Sequence, residues 1–250
     1  MKVVSSYRHR FDGVKHDDLI LIFEKLLNHI VMFYSWLNCS ENFYNLRIGM
    51  IIHFTNHFNK LKSIISSGTF LLRYCGEYFG DKQGKVIFRA AHPMVSFSDY
   101  DHNELQSKEI TYGGYGVALN KTWAVENGLT PVNYIEKNLP VALGLIALLR
   151  ARQLDTLPNN LRLPVIQLKC FTKHVYGYNS HFKQDDFYFK YENEWRFVPI
   201  IQQIGGGRIS VDYSKYKGNE KFYNDKIAPF PLRFIRENKV HICSEYIRTR

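Results

Sequence analysis

The stretch RIGMIIHFTNHFNKLKSIISSG, residues 47–68, changes its period halfway along. Its first half is an apolar run that ends in polar residues, as a buried strand does. Its second half carries Phe58, Leu61, Ile64 and Ile65 at helical spacing. Asn56 is placed to cap that helix and Gly68 to end it. The expected order is therefore strand, short turn, helix, stop. Strand alternation puts His53 and Thr55 on one face. There they could bond a ligand's ribose or amide, or serve only as a surface histidine and a capping threonine.

Downstream segments mix strands and helices without a regular repeat. HPMVSFSDYD (residues 92–101) reads as a short strand with Val95 and Phe97 on one face and Ser96 and Ser98 on the other. YGGYGVALNKTWAVENG (residues 112–128) reads as a glycine-broken turn, a short strand and a helix closed by Gly128. PVNYI (residues 131–135) is expected to be a strand, and residues 140–154, apolar nearly all round, a core helix. LPVIQLKCF (residues 163–171) alternates and is expected to be a strand. Such irregular mixing favours an α+β domain. Upstream, residues 17–37 read as a helix whose apolar surface needs cover on more than one side.

Bulk properties bound the function. The chain has 250 residues, a formal net charge of +10 and 15% aromatic residues. That charge favours polyanionic partners, nucleic acid above all. Four separate cysteines, with no CxxC pair, fit a reducing cytoplasm and no metal site. Charged and polar residues interrupt the apolar run at 19–37, so no membrane span is expected.

Two further fragments could carry chemistry. In YGGYG, Gly113, Gly114 and Gly116 permit close approach to a ligand, and Tyr112 and Tyr115 could stack on a planar ring. A tight turn with two packing tyrosines would look the same. In FKYENEWRFVP (residues 189–199), alternation places Phe189, Tyr191, Trp195 and Phe197 on one side and Glu192, Glu194 and Arg196 on the other. Two neighbouring carboxylates can divide the work of a sugar-cation reaction: one bonds a ribose hydroxyl and the other accepts a proton. Surface charge paired with Lys190 and Arg196 is the plainer alternative.

In order along the chain, HFTN, PMVSFSDYD, YGGYGVALNKTWAVENGLTPVNYI and NEWRFVP resemble the AbiGi family of abortive phage infection proteins. His-x-Thr followed by a helix, then a glycine–tyrosine strand, then a late Glu-x-Glu, resembles the ADP-ribosyltransferase superfamily. The resemblance implies split, curved antiparallel sheets with NAD between them. It implies an N-terminal helical extension over 1–46 and a transferase domain with a basic C-terminal region over 47–250. By the same resemblance His53 holds the adenine-side ribose with help from Thr55, and Ser96 echoes a Ser-Thr-Ser strand. The ring that stacks on nicotinamide stays open among Tyr112, Tyr115 and Trp123. Glu194 would bond the nicotinamide ribose, Glu192 would face the acceptor, and Arg196 would position them. Tyr178 and Phe182, in the aromatic loop, would meet the acceptor. The implied protein is a cytoplasmic antiphage toxin that moves ADP-ribose from NAD to nucleic acid, RNA favoured, and is held inactive by an antitoxin. A protein acceptor, or a non-catalytic regulatory member of the fold, is the alternative.

Overall fold

The computed structural model describes residues 50–81, 83–100, 112–179, 182–236, 239–240 and 242–247. The N-terminal helix expected over 17–37, and the 1–46 extension with it, lie outside the described residues. In chain order the elements begin with β1 (Met50–Thr55), α1 (Phe58–Ser67), β2 (Thr69–Phe70), β3 (Arg73–Gly80) and β4 (Val86–Ser98). Then come β5 (Tyr115–Asn120), α2 (Lys121–Glu126), β6 (Thr130–Pro131), β7 (Asn133–Ile135), α3 (Pro140–Gln153) and α4 (Asn159–Cys170). They continue through β8 (Thr172–His174), β9 (Tyr176–Asn179), β10 (Gln184–Tyr188), a 3-10 turn at Phe189–Glu192 and β11 (Glu194–Phe197). The last are β12 (Val211–Asp212), α5 (Tyr213–Gly218), α6 (Glu220–Ile227), β13 (Leu232–Arg233), β14 (Ile235–Arg236), β15 (Lys239–Val240) and β16 (Ile242–Ile247).

These elements make a mixed α+β fold around a mainly antiparallel sheet. Eight strands join in it, in the order β16-β5-β1-β4-β11-β6, with β3 and β12 also on β4. The long β4 is the spine. Its C-terminal half pairs with β1 and β11, and its N-terminal half with β3 and β12. One core packs Phe70, Phe97, Trp123 and Phe234 against the sheet. A second lies where Ala142, Leu145, Ile146 and Leu149 of α3 and Val165, Ile166 and Cys170 of α4 meet Phe79 and Phe88. Among the described residues no helix is long and apolar enough to cross a membrane.

Several expectations need correction. Residues 163–171 belong to helix α4, not to a strand. The buried set is Val165, Ile166, Lys169 and Cys170, which is helical spacing, and it includes a lysine that alternation assigned to solvent. Helix α3 buries one stripe only, leaving Val141 and Leu143 exposed. Residues 189–199 do not form one strand either. They make a 3-10 turn, a left-handed Asn193 (φ 42°, ψ 53°), and then β11. Asn tolerates that conformation better than most residues, and its side chain donates to the Asp99 carbonyl at 2.6 Å.

Gly113 packs close against the chain's own backbone. It takes φ 113°, and a Cβ there would lie 2.5 Å from the Thr55 carbonyl oxygen. Its close approach is to the end of β1. Gly113→Ala should therefore destabilise the fold by roughly 2 kcal/mol or more, from backbone strain plus the clash. Urea denaturation checks this, and wild-type stability in the variant would contradict it.

A second prediction comes from His92 in the middle of β4. It is fully buried, hydrogen-bonds the Ile209 carbonyl through Nδ1 at 2.9 Å, and leaves Nε2 without a partner. Burial, helped by the charge of Lys169, pulls its pKa down from 6.5 to about 4. The unfolded chain takes up this proton first, so the His92 contribution is complete above pH 6.5 and is lost as pH falls toward 4. The loss should be about 3 kcal/mol. Urea midpoints across that window should fall less steeply in His92→Gln, which cannot titrate.

Candidate functional site

Six charged side chains converge beneath β3 and β11. Lys169 meets Glu77 at 3.4 Å, Glu77 meets Arg196 at 3.0 Å, and Arg196 meets Glu194 at 2.9 Å. Lys173 then joins Glu194, at 3.4 Å, to Glu192, at 2.6 Å. Signs alternate along the whole chain. Arg196 is 1% exposed and grips both oxygens of Glu194 through Nε and Nη2, each at 2.9 Å. Its Nη1 donates to the Cys170 carbonyl at 2.5 Å. The Glu194 backbone N–H donates to the Tyr134 hydroxyl oxygen at 2.9 Å. Tyr112 donates to Glu192 at 3.4 Å.

Local structure explains the convergence. The turn at 189–192 and the left-handed Asn193 swing Glu192 onto the ammonium that also holds Glu194. The two glutamates thus meet through a turn rather than through strand alternation. Lys173 comes from β8, one residue beyond the Thr172 hydroxyl, which donates to the Leu168 carbonyl at the end of α4 at 2.8 Å. The Lys173 ammonium also sits 4.2 Å from the Phe189 ring centroid.

Electrostatics separates the two carboxylates. Burial alone would raise Glu194, but Arg196 and then Lys173 outweigh it and hold the carboxyl below its ordinary range. Burial lifts Glu192 above its ordinary value, Lys173 opposes the rise, and the charge of Glu194 adds to it. Lys173 itself is pushed down by burial but more strongly up by Glu194, Tyr112 and Glu192, so it stays charged. A pair of carboxyls driven apart in this way is what acid–base division requires.

A cavity of about 790 Å³ opens beside this cluster, lined by Glu77, Lys173, Glu192, Tyr112, Tyr178 and Arg89 among others. Glu192 reaches it; Glu194 is not among the lining residues. Among the described residues no group of three or more His, Cys, Asp and Glu could hold a metal ion.

The other expected site residues fall elsewhere. Residues directly opposite each other in a ladder share a face. Ser98 stands opposite both Glu194 and Ile52, so these three share one face of the sheet. His53, the next residue after Ile52, points to the other. There its ring meets Phe70 and Phe97 edge-on, and Nδ1 bonds the Ser96 carbonyl at 2.8 Å. Burial lowers its pKa. Thr55 and its ladder partner Tyr115 follow His53, and Tyr115 packs on Phe58. Trp123 is 2% exposed and set among Phe70 and Phe97, with no surface to offer a nicotinamide ring. Ser96 is the ladder partner of Arg196. Phe182 stacks on Phe187 at 5.5 Å. The structure therefore brings together Glu192, Glu194, Arg196 and Tyr112, with Tyr178 on the cavity wall, and separates His53, Thr55, Tyr115 and Trp123 from them. Sequence reasoning missed Glu77, Lys169 and Lys173. Only the Lys169 position, inside a helical apolar stripe, carried a signal.

Residues 68–244 match the family described as "Putative abortive phage resistance protein AbiGi, antitoxin". No curated protein and no solved structure matches the chain.

Lys173→Met should cost about 3–5 kcal/mol, because it leaves two buried carboxylates short of a cation. Adding Glu192→Gln should recover part of that loss, since one of the stranded charges is then gone. Urea denaturation of the two single variants and the double variant closes the cycle. Strict additivity would mean that Lys173 and Glu192 are not coupled.

Proposed function

From the chain's membership of the AbiGi family of abortive phage resistance proteins, we propose that it works within a toxin–antitoxin pair as an NAD-dependent ADP-ribosyltransferase, with the cavity beside Glu192 as its NAD site. One observation carries this reading. A carboxylate with a raised pKa, fixed by a buried lysine, lines a cavity that also offers tyrosine rings and cations. Rings suit a base or nicotinamide, cations suit a pyrophosphate, and a carboxylate suits a developing ribosyl cation. On this reading the described sheets correspond to the transferase domain, with 1–46 as an extension to it.

The proposed chemistry uses the residues that reach the cavity. The bond between nicotinamide and the ribose breaks, and its electron pair leaves with nicotinamide. Glu192 faces the positive charge that develops on the sugar. The acceptor's nucleophile bonds to the same sugar carbon, and its proton passes to Glu192, whose pKa burial raises above the ordinary carboxyl value. Glu194 acts through Lys173 as a positioning residue, and Arg196 positions Glu194 in turn. Tyr112 and Tyr178 supply rings. His53, Thr55, Tyr115 and Trp123 take no part, because they face the other side of the sheet. A single-stranded nucleic acid is the favoured acceptor: the chain's charge of +10 attracts a polyanion, and a single strand exposes its bases.

A second reading is favoured by the family description itself, which says antitoxin. On it the chain neutralises a partner protein and turns over nothing. Purified protein with labelled NAD and, in turn, total RNA, single-stranded DNA or cell lysate separates the two. The transferase reading expects nicotinamide release and label transfer, both down at least about a hundredfold in Glu192→Gln. No NAD consumption in any mixture rejects it. The antitoxin reading then expects the chain to rescue cells from a co-expressed toxin, with Glu192→Gln rescuing equally well.

A further inference from the structure

The rim of the cavity has a different character from its floor. On the floor Lys173, and beneath it the buried Lys169 and Arg196, each have a carboxylate partner. On the rim, Arg89 and Lys137 have none among the described residues. Lys183 and Lys190, on the β9–β10 hairpin and in the turn that follows it, also have none, and they share that hairpin with the exposed Asp185 and Asp186, of which Asp185 lines the cavity. Arg89 sits over the Tyr213 ring with Cζ 4.0 Å from its centroid, a contact that holds the guanidinium without neutralising it.

The hairpin adds rings. Tyr176 and Tyr178 stand on one face of β9, and Tyr188 lies opposite Tyr176 on β10. The rings of Tyr176 and Tyr188 are 5.0 Å apart, and those of Tyr188 and Tyr191 are 4.7 Å apart. Tyr176, Tyr178 and Tyr191 are 44%, 47% and 60% exposed. Tyr78 bridges from β3 to the Tyr178 carbonyl at 3.1 Å and so ties the hairpin to the cavity wall. This row of tyrosines ends at Glu192, the carboxylate of the cavity.

Exposed aromatic faces on the hairpin, next to cations without ion-pair partners among the described residues, fit a single-stranded polyanion carrying planar rings. A duplex hides those rings in its stack, and RNA and DNA single strands offer them equally. We propose that the β9–β10 hairpin and the cavity rim form a docking surface for single-stranded nucleic acid. Bases stack on Tyr176, Tyr178 and Tyr191, and the phosphates lie on Arg89 and Lys137. The proposal rests on the transferase reading only for its consequence, which is to bring a nucleotide up to Glu192 as acceptor. The binding itself requires no NAD.

The test is fluorescence anisotropy with labelled twelve-nucleotide RNA and DNA single strands and a duplex of the same length, across a KCl series without NAD. Both single strands should bind more tightly than the duplex. Tyr176→Ala with Tyr178→Ala should weaken binding about tenfold or more while keeping the salt dependence. Tyr176→Phe with Tyr178→Phe, which keeps the rings, should bind like the wild type and so controls for folding. Arg89→Gln with Lys137→Gln should lower the slope of log affinity against log salt by about 1.4. Wild-type affinity in both disruptive pairs, or a preference for the duplex, overturns the proposal. So does the absence of oligonucleotide binding at low salt, which would leave the tyrosines to a protein partner. NAD consumption is scored separately in the same preparations. Hairpin-dependent binding without consumption keeps the surface and removes the transferase reading; consumption with hairpin-independent binding does the reverse.

Discussion

The alternating ion chain from Lys169 to Glu192 is the constraint on which the rest of the site depends. Taking an unpaired ion out of water costs several kcal/mol, so six buried charges persist only as neighbours of opposite sign. Apart from Arg196–Glu194 within β11, each contact joins different elements: α4 to β3, β3 to β11, β11 to β8, and β8 to the turn at 189–192. Removing any inner member strands two others. A well-packed apolar core of the same volume would be about as stable, so stability alone does not account for charges in this place. Their position beside an open cavity, with one carboxylate reaching into it, does.

The sheet divides what a linear reading joins. In β1, one residue decides which side of the molecule a group serves, because side chains alternate strictly along a strand. Ile52 shares a face with Ser98 and Glu194, and His53 therefore belongs to the aromatic core of Phe70 and Phe97. There the imidazole is held uncharged by burial and bonded to a backbone carbonyl. Partly buried, this histidine packs edge-on against the aromatic core, and its ring nitrogen satisfies the Ser96 carbonyl.

Much of the fold was legible where periodicity and a stop signal coincided. Helix α1 ends at Gly68, which takes the left-handed conformation expected of a terminal glycine. The strand before it, and the strand and helix after Gly113, follow the same logic. Two segments were not legible, and for one physical reason: a charged residue had left the surface. In residues 163–171, Lys169 is fully buried, and counting it as solvent-facing turns a helical stripe into false alternation. In residues 189–199, Glu192 and Glu194 are both buried, and the left-handed Asn193 breaks the period between them. Polarity predicts exposure only while a charge lacks a partner. Glu77, 92 residues before Lys169 and 119 before Arg196, is the partner that local pattern cannot supply.

The same partnering rule separates floor from rim. Inside, positive and negative groups balance, so the cavity floor exerts little long-range field, and its specificity comes from where each oxygen and nitrogen is held. At the rim, Arg89 and Lys137 form no ion pair among the described residues, although Asp185 lines the same cavity, on a chain whose formal total is +10. Exposed charges act over roughly 10 Å at moderate salt, far enough to gather a polyanion but not to orient it. Orientation falls to the tyrosines: the rings of Tyr176 and Tyr191 pack on Tyr188, and the Tyr78 hydroxyl bonds the Tyr178 backbone carbonyl. On the proposed reading, attraction at the rim, stacking along the hairpin and a single carboxylate in the cavity form a sequence of decreasing range and increasing geometric demand, the order needed by a site that admits a large ligand and acts on one atom of it.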